Sequence, residues 1–217
     1  LLPGLGADHR LFQPLIDLGL SIVPVDFIPP QGMESLQAYA ARMAAHIAEV
    51  HGGPLQGSPH MIGGVSLGGA IATEVARITQ PDQLVLISTV TSSREVPPYF
   101  KFFRYLPLHR VISADFLRKY APRERYHGMN PTYRKILDDM RNEADPVFIR
   151  WALNAVVTWR QPQPPTQYIR LHGTLDMMFP GVLLGSREKL PKAGHTMVMT
   201  HAPAVAAWMR RSLPSLS

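Results

Sequence analysis

Ser66 stands in Gly64-Val65-Ser66-Leu67-Gly68, a G-x-S-x-G spacing that ends a short apolar run and opens a helical pattern. A serine in a tight strand-to-helix turn holds its hydroxyl clear of the sheet. The first amides of the following helix then point at whatever that hydroxyl attacks. The positions two before and two after must be small, because strand and helix nearly touch there. Three fixed positions arise by chance in roughly one chain in ten of this length, so the motif needs partners. A serine hydroxyl is a poor nucleophile until a neutral imidazole accepts its proton. That imidazole in turn needs a carboxylate on its other nitrogen to fix the tautomer and stabilise the imidazolium. Asp176, just after the strand-like Gln167–Gly173, and His195, in the turn Ala193-Gly194-His195, are candidates for those two roles. A glycine-rich loop, Pro3-Gly4-Leu5-Gly6-Ala7-Asp8, has the free backbone amides that an oxyanion hole requires.

Other residues compete for these roles or have plainer ones. Asp145 and Asp115 are rival acids, and Asp176 could simply cap a turn. His172 lies at a strand end near Asp176, where support of the acid turn is expected rather than proton transfer. His9 either lines a pocket mouth or begins a helix. His46 and His51 are five residues apart, which is not a metal-ligand spacing, and no metal site is expected. Gly4-x-Gly6 could open a dinucleotide site, but the third glycine of that fingerprint falls at His9, so no such cofactor is expected. Met177, Met178, Met197 and Met199 flank the acid and base, as core packing or as soft pocket walls.

The elements that would position these groups alternate. Leu20–Phe27 reads as a strand with an awkward Pro24. Residues 34–50 form an amphipathic helix opened by Ser35 or Glu34 and stopped by Gly52-Gly53-Pro54. A strand over 59–65, a helix over 67–79 and a continuous apolar strand over 83–90 follow, the rhythm of a parallel sheet covered on both faces. Residues 91–165 contain no convincing strand and are divided by prolines. Their best helix, from Pro146 to Trp159, places Phe148, Trp151, Ala152, Ala155 and Trp159 on one face. After the strand 167–173 come a short polar edge strand within 186–193 and a final helix from Thr196. The expected division is a core of residues 1–90 and 166–217 interrupted by a helical cap or lid over 91–165, covering the carboxyl edge of the sheet.

The 217 residues suffice for one domain. The absence of cysteine excludes disulfides, thiolate metal sites and a cysteine nucleophile. No apolar run approaches the length of a membrane span. The net charge of +6 is uneven, −4 over residues 1–93 and +5 over each of 94–127 and 128–217. The basic residues are spaced among Phe, Tyr, Leu and Pro, so a solvated surface is expected rather than a nucleic-acid site. Leu1-Leu2-Pro3-Gly4 reads as the end of a strand, so residues are expected to precede it. Without a visible signal peptide the expected location is cytoplasmic.

Taken together, Pro3-Gly4-Leu5-Gly6, the Gly64–Gly68 turn, His172-Gly173-Thr174-x-Asp176 and Gly194-His195 resemble a small, esterase-type α/β-hydrolase, in which nucleophile, acid and histidine come in that chain order. The resemblance implies an α/β fold with a mostly parallel sheet and a serine hydrolase that cleaves small or medium carboxylic esters without metal or organic cofactor. Ser66 would be the nucleophile, His195 the base and Asp176 the orienting acid. The amides of Leu5 and Leu67 would hold the oxyanion, with Gly6 a substitute for Leu5. Thioester or carbon–carbon bond cleavage, lyase activity, or ligand binding without turnover stays open, as does the oligomeric state.

Overall fold

The structure, a computed structural model, describes residues 1–102, 129–161, 163, 167–181 and 183–213. Four parallel strands, β1 (Met61–Val65), β2 (Gln83–Ile87), β3 (Ile169–Gly173) and β4 (Glu188–Leu190), pair in chain order. Beyond β1 the backbone of Leu2 continues the sheet, donating to the Gly63 carbonyl at 2.9 Å and accepting from Val65 at 3.0 Å. Val23–Val25 lies outside it, tied to both backbone groups of Leu1. The strand expected over Leu20–Phe27 is therefore only an extended edge segment. Pro24 has no N–H to give to a ladder, which restricts it to that position.

The expected helices form. Helix α1 (Gln13–Asp17) continues a 3₁₀ turn over His9–Phe12, and α2 (Leu36–His51) is capped by Ser35, whose hydroxyl accepts from Ala38 at 3.1 Å. Glu34 does not open that helix; its carboxylate accepts from Gln31 and pairs with Arg42. Helix α3 (Leu67–Thr79) follows β1 directly. After β2 come α4 (Pro98–Phe102), α5 (Pro131–Glu143) and α6 (Pro146–Thr158). The final helix is split into α7 (Met197–Thr200) and α8 (Ala202–Ser212). Pro203 lacks the N–H that a continuous helix would need there.

Alternation along the strands divides the core into two layers. Ile62, Leu84 and Leu86 face α2, α3 and α6, whereas Val65, Val85, Ile87 and Leu171 face α1, α5, α7 and α8. The described helices of the 91–165 span thus belong to both layers. On α6, Trp151 packs at a tilt against Tyr39, 4.1 Å between centroids, and its indole N–H donates to the Glu34 carbonyl at 2.9 Å. Trp159 donates to the buried Glu74 carboxylate of α3 at 2.8 Å. On α5, Leu137 and Met140 are buried in the second layer, and Tyr133 donates to Asp17 at 2.8 Å.

Trp151 is 1% exposed and both fills space and donates to a part-buried carbonyl. Trp151→Ala is expected to lower the unfolding free energy by about 3–5 kcal/mol, measured by denaturant titration. A loss under about 1 kcal/mol would contradict the docking of α6 against α2.

Candidate active site

Ser66 connects β1 to α3 with φ 54° and ψ −119°, a conformation that side chains rarely adopt. A close backbone approach imposes it. A Cβ on Gly64 would collide with the backbone of Gly68 and Gly69, and a Cβ on Gly68 with the carbonyls of Leu2 and Pro3. The Ser66 amide donates to the Ile87 carbonyl at 3.0 Å, and its carbonyl accepts from Gly69 and from the Thr89 hydroxyl at 2.6 Å. Sequence spacing predicts the glycines; nothing in it points to Thr89.

Asp176 and His195 reach Ser66 through two turns bonded to each other. Strands β3 and β4 are neighbours, so the turns that follow them leave the sheet side by side. Thr174 donates its amide to the Leu190 carbonyl at 3.0 Å and Leu175 to the Ala193 carbonyl at 2.9 Å. The amide of Lys192 donates to the Thr174 hydroxyl at 2.9 Å. His195 then lies between its two partners, with Nε2 2.9 Å from Ser66 Oγ and Nδ1 3.0 Å from Asp176 Oδ2. An ionised carboxylate only accepts, so Nδ1 carries the proton and Nε2 is left to accept from the serine hydroxyl.

The Asp176 side chain is fully buried, and burial alone would push its carboxyl up. The hydrogen bond and charge of His195, with the Phe179 amide, outweigh that and hold it below the usual carboxylate range. The amides of Met178 and Phe179 both donate to Oδ1 at 2.9 Å. The Phe179 ring, 5.6 Å from the imidazole, packs against His195. Phe179 has no sequence signal beyond its nearness to Asp176.

The glycine-rich loop runs against the serine. A Cβ on Gly4 would lie 3.5 Å from Ser66 Cβ, and the loop closes by a bond from Ala7 to the Gly4 carbonyl at 3.1 Å. Leu5 and Leu67 lie on the two backbone segments that flank Ser66. Their amides have no acceptor among the described residues. Asp8 and Arg10 fasten the loop to α5 through an ion pair with Glu143.

The other candidates lie elsewhere. Asp145 caps α6, accepting from Val147 at 2.8 Å, and Asp115 falls outside the described residues. His9 begins the 3₁₀ turn and pairs with Asp26 at 2.7 Å. His46 and His51 lie on α2, and no group of three potential ligands that could hold a metal gathers among the described residues. Met197 and Met199 are core residues, whereas Met177 and Met178 are exposed beside Asp176. No helix among the described residues is long and apolar enough to cross a membrane.

His172 is wholly buried, and neither ring nitrogen has a partner of good geometry among the described residues. Burial, with the nearby Arg170 guanidinium, pushes its titration from 6.5 down to about 4, so it sits behind Asp176 as a neutral ring. An unfolded histidine takes up its proton near 6.5. Between that pH and about 4 the unfolded chain therefore binds more protons, and stability falls as pH drops through the window. The expected loss is about 3 kcal/mol between neutrality and pH ~4. Asp176 contributes below this window, its stabilisation being lost only as pH falls beneath the usual carboxylate range. His172→Leu should flatten the slope in urea titrations at several pH values. An equally steep slope in that variant would refute the assignment.

No curated protein matches the chain. Among solved structures, an esterase from Thermogutta terrifontis is 18% identical with a TM-score of 0.69, covering 99% of this chain and 88% of its own. Epoxide hydrolases from metagenomes of hot environments give 18% identity and a TM-score of 0.67 over 98% of this chain and 89% of theirs. The enol-lactonase of Burkholderia xenovorans gives 16% and 0.65 over 98% and 90%. At such identities these likenesses establish the fold. The sequence model of the alpha/beta hydrolase family matches residues 1–208, and this chain belongs to that family.

Proposed function

We propose that the protein is a serine hydrolase of carboxylic esters, acting through an acyl-enzyme. The observation that carries this reading is the placement of His195, within hydrogen-bond reach of Ser66 Oγ on one nitrogen and of the buried Asp176 on the other. Ser66 Oγ attacks the ester carbonyl while its proton passes to His195 Nε2. Asp176 stabilises the imidazolium so formed. The carbonyl oxygen becomes an oxyanion, held by the amides of Leu5 and Leu67. Collapse of the intermediate breaks the carbon–oxygen bond to the alcohol, which leaves with the proton from His195. A water molecule then repeats the sequence on the acyl-enzyme, with His195 again as base. The acid departs and Ser66 regains its proton.

In this reading α4, α5 and α6 belong to a helical cap of the site spanning 91–165, of which 103–128 lie outside the described residues, and the partner is a small or medium ester of apolar character. Phe27, Phe100, Phe148 and Phe179 all pack into the layer that contains Leu5 and Leu67, which supports an apolar acyl group.

The test is labelling with a fluorophosphonate, peptide mapping, and turnover of chromogenic esters of graded acyl length, a lactone and an acyl thioester. An adduct on Ser66 is expected, with Ser66→Ala inactive and Asp176→Asn reduced about 10²–10⁴-fold in kcat. Full ester turnover by Ser66→Ala, or no adduct on Ser66, would sink the proposal. Faster turnover of the thioester than of every ester would reassign the substrate class.

A further inference from the structure

The segment that holds Asp176 is itself held from outside, by a helix that carries none of the reacting groups. The amides of Met178 and Phe179 donate to Asp176 Oδ1. On the other side of the same backbone, the Tyr99 hydroxyl of α4 donates to the Met178 carbonyl at 2.5 Å, with the Met177 carbonyl 3.3 Å from it. A peptide group is planar, with its carbonyl and N–H directed oppositely. The Met177 carbonyl and the Met178 amide belong to one such plane, and the Met178 carbonyl and the Phe179 amide to the next. The two planes gripped by Tyr99 are therefore the two that aim N–H groups at Asp176. A hydrogen bond to a carbonyl also polarises the N–H of its own peptide group and strengthens the bond that N–H donates.

The neighbouring side chain adds a second contact. Phe100 stacks on Phe179 at 5.6 Å between centroids, and Phe179 reaches the His195 imidazole at the same distance. Burial, and then the negative charge of Asp176, push the Tyr99 phenol up from 10, which keeps it protonated and able to donate across the neutral range.

We infer that Tyr99 is a positioning residue for the reaction, its hydroxyl clamping the Met177–Phe179 backbone so that Asp176 stays aimed at His195. The inference rests on the serine-hydrolase reading of the site for its functional meaning. Its geometric content can be measured without turnover.

Tyr99→Phe keeps the ring and removes only the hydroxyl. With a chromogenic ester, kcat is expected to fall about three- to tenfold while KM stays within about twofold. Proton NMR should show the far-downfield Nδ1 proton resonance of His195 broadened or moved upfield, with the melting temperature within a few degrees of wild type. Wild-type kcat with an unchanged resonance would overturn the inference. So would a loss of activity matched by a large fall in melting temperature while the resonance stays in place, which marks a merely structural residue. If the wild type neither turns over esters nor labels at Ser66, the serine-hydrolase reading fails separately. The resonance in Tyr99→Phe then still decides whether the hydroxyl holds Asp176 against His195.

Discussion

The close contact of three backbones around Ser66 constrains everything else at this site. Strand β1, helix α3 and the Leu2–Pro3 segment meet where Gly64 and Gly68 present only hydrogens, and no larger side chain fits between them. The contact forces Ser66 into a left-handed conformation of order 1–3 kcal/mol above the usual basins. Bonds to Ile87, Gly69 and Thr89 hold it there. The same approach sets the Leu5 loop beside the start of α3, so both amide-bearing segments are placed by the packing that strains the serine.

The imidazole must reach that fixed point, and the pairing of β3 with β4 supplies the reach. Asp176 and His195 are only 19 residues apart. The turns beyond two adjacent strands bring them together without a long loop. Burial makes the Asp176 charge costly unless donors surround it. Two amides and one imidazole N–H satisfy it. A second charge behind it would disturb that balance. His172, held neutral by its own burial, fills the space without adding one.

Much of this was legible as pattern. Ser66, Asp176 and His195 stand at element boundaries that apolar periodicity locates, and α2, α3 and α6 have the stripes that bury them. Leu20–Phe27 misled because its apolar content matches a strand, while Pro24 removes the donor that a ladder needs. Tyr99 and Thr89 were not legible at all. Each acts through a backbone carbonyl distant in the chain, and a contact made to a peptide group leaves no mark on the residue type at the other end.

The described part of the insertion between β2 and β3 takes part in both core layers. Trp151 and Trp159 donate their indole N–H groups to partners around α2 and on α3, at 2.9 and 2.8 Å, and α5 is pinned at Asp17 and at Arg10. Lifting α5 and α6 as a unit would break these hydrogen bonds and expose the aromatic face of α6, a cost of several kcal/mol. Because α5 also pairs with the loop that carries Leu5, and α4 bonds the turn that follows Asp176, these helices tie the two core layers to the segments around Ser66.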